Sequence, residues 1–213
     1  MSSLTATFHV QNAVCVNEAK VAVPILTGIG YLDHMIDQWN SHAQVGVGLE
    51  VSLCTALEIQ NNNESKVDVD ADHNRFANEN QVQLCAAVGK ALGQQLRKVL
   101  ISAPKTSPSK SRFCCPLDEA LVECLISSGE NNDEMIRDEK YDLAKYSLAP
   151  FGIYPRGVGR TKIGNLEIFA IQSFWKALAT SAGIVISLDK IRGDNAHHIG
   201  MYTYICSCVV YVV

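Results

Sequence analysis

The sequence lacks several features that would place it in a broad class of protein. No apolar run approaches the roughly 18 residues that a membrane-spanning helix needs. No block of basic residues is present and the formal net charge is -4, which argues against nucleic-acid or anionic-membrane partners bound by bulk electrostatics. Residues 1–10 resemble neither a secretory signal nor an Arg-rich transit peptide. We therefore expect a soluble protein of the cytoplasm.

The cysteines and histidines also lack two familiar arrangements. Eight cysteines are present without any Cys-x-x-Cys pair, so a thiolate zinc site is not indicated. Without a secretory signal, reduced thiols that fill a core as small apolar side chains are the simplest expectation. No His-Glu-x-x-His segment occurs, which disfavours a histidine-metal hydrolase.

The apolar pattern predicts an α/β (α+β) fold. A chain of 213 residues with 47% hydrophobic content can bury a core as one domain or as two halves of about 100 residues. The pattern predicts strands at residues 5–16 and 20–26, expected to pair with each other, and strands at 45–53 and 184–188. Helices are predicted at 79–100 and 166–182, whereas residues 117–126 suit either a strand or a helix.

A break divides the chain into two halves. Residues 102–111 contain two prolines and four serines, a composition typical of a connection. We therefore predict a first half of residues 1–101, containing His34 and His73, and a second half of residues 102–213, containing His197 and His198. Residues 32–50 with Asp72-His73 parallel residues 170–187 with His197-His198, which indicates a repeated pattern.

Histidines cluster at two predicted helix starts. Adjacent His197 and His198 project about 100° apart on a helix, so that each can serve a different metal ion. His34 and His42 lie eight residues apart and therefore about 80° apart on one broad side of a helix.

The segments around these histidines resemble those of the imidazoleglycerol-phosphate dehydratases. Residues 27–35 read Thr-Gly-Ile-Gly-Tyr-Leu-Asp-His-Met, and residues 193–198 read Gly-Asp-Asn-Ala-His-His. Further matches follow in the family's order at residues 112–113, 116–121, 162–165 and 174–179. Collinear matches over about 170 residues identify the chain as a divergent member of this family.

The resemblance implies a fold, a reaction and a cofactor. The fold is a tandem duplication of two sheet-plus-helix halves, each like the second domain of ribosomal protein S5. The reaction removes water from imidazole glycerol phosphate to give imidazole acetol phosphate, a lyase step of histidine biosynthesis. Two Mn²⁺ ions per site act as Lewis acids on the imidazole ring. The family also implies a large homo-oligomer with sites at subunit contacts.

The resemblance further implies the site residues. His34, His73, His197 and His198 occupy metal-ligand positions, and Arg112 is expected to contact the substrate phosphate. His42 also matches a family histidine, for which structural support is the expected role. Glu79 is assigned as the displaced catalytic glutamate of the first histidine motif.

The first histidine motif has an open register. Asp72 stands where the first histidine of the pair belongs, so His73 is either the first or the second member, depending on where a gap is placed. Asp72 is either a replacement ligand for Mn²⁺ or a helix N-cap.

Several positions depart from the family pattern. Met201 and Ile205 stand where a glutamate ligand and a lysine are expected, Glu130 replaces a second arginine, and Gln172-Ser173 replaces a ligand-bearing pair. These changes predict weak or absent turnover, and a noncatalytic subunit of an oligomer is the alternative function. Residues 200–213 have a strand-like composition that departs from the family after Ile199. We interpret this segment as an artefact of gene prediction, with a truly divergent paralogue as the alternative.

Overall fold

The computed structural model describes residues 7–16, 24–43, 46–54, 80–102, 110–127, 143–149, 151, 159–201 and 203. The strands are β1 (Thr7–Val16), β2 (Ile25–Leu26), β3 (Gly46–Cys54), β4 (Lys110–Leu117), β5 (Ala120–Ser127), β6 (Ala144–Ser147), β7 (Lys162–Ile163), β8 (Leu166–Glu167) and β9 (Val185–Arg192). The helices are α1 (Gly30–Ala43), α2 (Gln81–Ser102), α3 (Ile168–Ala182) and α4 (196–201). This mixture of sheets and helices confirms the predicted α+β class.

Two sheets share one three-strand topology, to which the second sheet adds β4 at its edge. The first has the order β1-β3-β2, with β3 antiparallel to β1 and parallel to β2. The second has the order β4-β5-β9-β6, with β9 antiparallel to β5 and parallel to β6. A helix precedes the central strand in each, α1 before β3 and α3 before β9. The chain therefore contains two related sheet-plus-helix units, while their predicted boundary at residues 101 and 102 stays a prediction.

The two units meet through α2 and α3. Helix α2 packs against both β1 and α3, while α3 also contacts β6 and β9. Gly89 and Gly93 of α2 lie directly against the α3 backbone, at the carbonyls of Phe174 and Leu178. Because glycine has no Cβ, the two helix backbones approach closely here. None of the described helices combines the length and apolarity that a membrane span requires.

A buried glutamine ties the start of α2 to the second unit. The Gln81 side chain is 3% exposed, and its Nε2 donates to the carbonyl of Asn165 at 2.6 Å. Its Oε1 accepts from the backbone N–H of Glu167, also at 2.6 Å. Both polar atoms of a buried amide thus have partners, which fixes α2 against the β7–β8 hairpin.

The structure corrects two details of the predicted strands. Strands β1 and β2 do not pair with each other in the described residues, because both pair with β3, which lies between them. Residues 117–126, for which a strand and a helix were both open, form the end of β4, a turn at 118–119 and most of β5. Burial alternates along β5, as expected for a strand with one face covered by helices.

The beginning of the C-terminal segment is helical, in contrast to its strand-like composition. Residues 199–201 and 203 are helical, and the Thr203 hydroxyl donates to the Ile199 carbonyl at 2.8 Å. Ile199 is fully buried and Met201 packs against the core. Tertiary packing thus overrides the strand propensity of this segment. Residues 204–213 lie outside the described residues.

We predict that Gly93→Ala destabilises the protein. The added Cβ would lie 2.5 Å from the Leu178 carbonyl oxygen and 2.9 Å from Ser181 Cβ. Overpacking costs about 1–3 kcal/mol, which outweighs the roughly 1 kcal/mol that alanine contributes to helix propensity. Urea unfolding measures the difference. Gln94→Ala, an exposed change on the same helix, is the control and should shift the unfolding free energy by about 0.5 kcal/mol or less.

Candidate functional site

Hydrogen bonds hold the segment before α1 against the first turn of the helix, which carries His34. The backbone N–H and the hydroxyl of Thr27 both donate to Asp33 Oδ1, at 2.8 and 2.6 Å. The Thr27 hydroxyl oxygen also accepts from the N–H of Ile29 at 3.2 Å. Leu32 and Met35 are fully buried. His34 is exposed, because the helical period turns it away from that buried face.

The start of α4 is capped so that it presents two histidines. Asn195 Oδ1 accepts from the N–H of His197 at 3.0 Å, an N-cap interaction. Gly193, two residues before Asn195, has φ 116 and lies against Ala120. A Cβ added at Gly193 would lie 2.7 Å from the Ala120 Cα. This contact joins the β9–α4 connection to the turn between β4 and β5.

The structure brings together three of the four predicted histidine ligands. The rings of His34 and His197 are nearly parallel, with centroids 5.9 Å apart and an interplanar angle of 12°. The rings of His197 and His198 are 6.0 Å apart at 67°. Tyr31 packs edge-on against His197 at 5.6 Å, and its hydroxyl donates to the His197 carbonyl at 3.4 Å. The cluster therefore joins α1 of the first unit to α4 of the second.

Two carboxylates in the β4–β5 turn complete the cluster. Glu119 Oε2 lies 2.9 Å from His198 Nδ1, and Asp118 Oδ2 lies 3.6 Å from His198 Nε2. One donor atom from each of these three residues falls within 4.8 Å of the others. Neither Asp118 nor Glu119 was among the site residues predicted from the sequence. The signal was present in the matched segment at residues 116–121, but the segment alone did not indicate what these carboxylates contact.

The electrostatics favour a neutral His197 and an ionised Glu119. Partial burial lowers the pKa of His197, and the neighbouring His34 and His198 lower it further. The hydrogen bond from His198 holds the pKa of Glu119 below its usual value, assisted by its backbone partners. Neutral imidazole and carboxylate are the protonation states that bind a divalent metal.

Arg112 lies away from this cluster. It is exposed on β4 and forms an ion pair with Glu123 of β5, which raises its pKa. Arg112 and Asp118 are six positions apart along the chain, which corresponds to about 20 Å along an extended strand. A single chain therefore does not place Arg112 beside the histidines.

The remaining site predictions have different outcomes. A ring nitrogen of His42 lies 2.8 Å from the Gln38 carbonyl on the same helix, a local interaction that suits its expected structural role. His73 and Glu79 lie outside the described residues, so their assignments stay predictions.

The donor set fits a divalent transition metal. Imidazole nitrogens and carboxylate oxygens are ligand types that Mn²⁺ accepts. His198 Nε2 and Asp118 Oδ2 lie at opposing positions, 3.6 Å apart, a spacing that two ligands of one ion can adopt. The other ring nitrogen, His198 Nδ1, contacts the second carboxylate, that of Glu119.

The fold and the cluster define a class of protein: a two-unit α+β chain with a histidine–carboxylate candidate metal site between its units. A family model described as imidazoleglycerol-phosphate dehydratase matches residues 27–204. The chain belongs to this family.

Curated relatives agree with the assignment. An imidazoleglycerol-phosphate dehydratase of Prochlorococcus marinus is 29% identical over 176 residues, which is 82% of this chain and 64% of that protein. A histidine biosynthesis bifunctional protein HisB of Campylobacter jejuni is 26% identical over 185 residues, 87% of this chain and 40% of that protein. The chain thus spans less than two thirds of either relative's length.

Solved structures agree on the fold. An imidazoleglycerol-phosphate dehydratase of Staphylococcus aureus superposes with a TM-score of 0.60 at 16% identity, covering 98% of this chain and 92% of that one. The corresponding Pyrococcus furiosus structure has the same score and identity, covering 100% and 90%. The family match also ends at residue 204, five residues beyond Ile199, where the predicted resemblance stopped. The match to the family therefore extends five residues further than the sequence alone indicated.

We predict that Thr27→Val destabilises the protein. The change removes the hydroxyl that donates to Asp33 and accepts from the Ile29 N–H, in a buried position. A buried polar group that loses its partner costs about 1–3 kcal/mol. Denaturant unfolding measures the change. The control is Thr180→Val on α3, where an exposed hydroxyl donates to the Lys176 carbonyl within one helix. An equal effect of both changes would contradict a special role for Thr27.

Proposed function

We propose that this chain catalyses the dehydration of imidazole glycerol phosphate to imidazole acetol phosphate at a dimanganese site. The observation that carries the proposal is the meeting of His34 with His197 and His198 across the two units. The resemblance predicts these residues as metal ligands, and the chain belongs to the family. We further propose that the protein works in the cytoplasm.

The residues of the cluster would each contribute a defined group. His34 and His197 supply neighbouring ring nitrogens, and the lowered pKa of His197 keeps its ring neutral near pH 7. His198 supplies a nitrogen beside Asp118. Bound Mn²⁺ would supply Lewis acidity toward the substrate's imidazole ring. His73 and Glu79 are proposed as the fourth histidine ligand and the catalytic glutamate.

The phosphate contact predicted for Arg112 would require a second subunit at the site. Arg112 is exposed and lies about 20 Å from the Asp118 turn along β4. We therefore propose that Arg112 serves a site in a neighbouring copy of the chain, in a homo-oligomer. An exposed arginine is suited to this role because its planar fork binds phosphate oxygens in pairs.

One observation favours a noncatalytic role as the second candidate. Met201 stands where the family places a glutamate ligand, and its side chain packs against the hydrophobic core. An apolar side chain cannot replace a charged oxygen ligand. In this alternative, the chain retains the fold and joins an oligomer but does not turn over substrate.

The deciding experiment measures dehydration of imidazole glycerol phosphate and bound metal on the same purified protein, with and without Mn²⁺. We expect Mn²⁺ binding, and loss of most binding in His34→Ala and His198→Ala, because each removes a donor from the cluster. The control is His42→Ala, which removes an exposed histidine from the same helix as His34 and should leave binding unchanged.

The outcomes separate the two functions. Turnover that depends on Mn²⁺ supports the dehydratase. Bound metal without turnover supports the noncatalytic role. If His42→Ala lowers metal binding as much as His34→Ala, the cluster is not the metal site.

We predict that Arg112→Ala raises the KM for imidazole glycerol phosphate by about tenfold or more, because a charge-assisted phosphate contact is worth about 1.5–3 kcal/mol. The unfolding free energy should change by less than about 1 kcal/mol, since exposed ion pairs contribute little to stability. Glu123→Gln is the matched control, because it disrupts the same ion pair but retains the cation. A KM that is unchanged in Arg112→Ala would argue against the phosphate role.

A further inference from the structure

Glu119 makes two hydrogen bonds to the start of α4. Its Oε1 accepts from the backbone N–H of Asn195 at 3.0 Å. Its Oε2 lies 2.9 Å from Nδ1 of His198. One carboxylate from the β4–β5 turn therefore contacts both the backbone and the terminal histidine of the segment 195–198.

The turn that carries Glu119 is held in place independently of these bonds. Asp118 has φ 49, a left-handed conformation that permits a tight reversal between paired strands. Leu117 and Ala120 are partners in the β4–β5 ladder on either side of the turn. The close contact of Gly193 with Ala120 then fixes the distance between this turn and the β9–α4 connection. Glu119 thus approaches His198 from a rigid support.

The contacts of the His198 ring indicate where its proton lies in the neutral form. An ionised carboxylate can only accept, so a hydrogen bond at 2.9 Å requires a proton on Nδ1. At the other nitrogen, Nδ2 of Asn195 lies 3.5 Å from Nε2, and an amide nitrogen can only donate. Both neighbours therefore favour the tautomer with the proton on Nδ1 and the lone pair on Nε2.

The second carboxylate does not reverse this preference. Asp118 Oδ2 lies 3.6 Å from Nε2, beyond hydrogen-bonding distance, and its side chain is 64% exposed. The shorter, better placed contact with Glu119 decides the position of the proton. The lone pair on Nε2 then faces the side on which Asp118 presents an oxygen.

We propose that Glu119 is a positioning residue that holds His198 as the Nδ1–H tautomer and directs Nε2 toward the metal. The consequence for metal binding rests on the proposed function, whereas the tautomer is a property of this chain alone. An outer carboxylate of this kind fixes the ring orientation and raises the basicity of the ligand nitrogen.

The test combines a tautomer measurement with a metal titration. Solid-state NMR of hydrated, ¹⁵N-histidine-labelled, metal-free protein distinguishes Nδ1–H from Nε2–H, and comparison with His198→Asn assigns the His198 signal among the six histidines. We expect Nδ1–H in the wild type. In Glu119→Gln, the single amide oxygen faces two donors, the Asn195 N–H and His198 Nδ1–H. The Nδ1–H population of His198 should therefore fall. The Kd for Mn²⁺ should rise about 10–100-fold.

Two variants serve as controls. Glu123→Gln removes a carboxylate from the same hairpin and should change neither the tautomer nor the Kd. Asp118→Asn should retain Nδ1–H, because Asp118 does not contact Nδ1. Retention of Nδ1–H in that variant, together with its loss in Glu119→Gln, supports the assignment to Glu119.

The remaining outcomes also decide the proposal. An Nε2–H signal in the wild type overturns it, as does a Glu119→Gln variant with unchanged tautomer and unchanged Kd. If the wild type binds no Mn²⁺, the proposed function fails, and the NMR comparison still supports or overturns the role of Glu119.

Discussion

The close packing of α2 against α3 is the constraint on which the rest of the structure depends. Gly89 and Gly93 allow the α2 backbone to reach the carbonyls of Phe174 and Leu178, a distance that any side chain would increase. Gln81 fixes the start of the same helix through two hydrogen bonds. Because α2 belongs to the first unit and α3 to the second, this contact sets how the two sheets are arranged.

The candidate site depends on that arrangement. His34 comes from the first unit, whereas His197, His198 and Glu119 come from the second. Neither unit alone contains the cluster. The two helix starts that carry the histidines are nevertheless rigid. Thr27 hydrogen-bonds to Asp33 at the start of α1, and Asn195 caps the start of α4. Each unit therefore orients its own site residues, and the packing of the two units brings these side chains within reach of one another.

Two positions of the family pattern, one substituted and one retained, have clear physical consequences. Met201, at a position where the resemblance predicts a glutamate ligand, packs against the hydrophobic core and contributes apolar burial instead. Arg112, which is exposed on β4, forms an ion pair with Glu123 of β5. The chain thus retains the histidines and their capped helices. An oxygen ligand in place of Met201, and a phosphate contact near the histidines, would have to come from another group or another copy of the chain.

Much of the fold was predictable from the sequence because it follows from local pattern. The helical period of residues 79–100 and 166–182 corresponds to α2 and α3, and β3 and β9 lie where apolar segments predicted strands. The pairing of β1 and β2 was predicted wrongly, since β3 lies between them and sequence separation does not reveal sheet order. At the start of the C-terminal segment the resemblance predicted a helix and the composition favoured a strand; the helix forms there, because packing of Ile199 and Met201 outweighs local strand propensity.

The sequence by itself determined the elements, the family and the histidines at the helix starts, because these depend on periodicity, capping and short motifs. Only the tertiary structure decided which side chains meet. Glu119 lies 79 residues from His198 along the chain, and their 2.9 Å contact exists because a β-turn and a helix start are packed together through Gly193 and Ala120. Local patterns carry no information about such distant contacts, since the contacts arise from how the packed elements fill space.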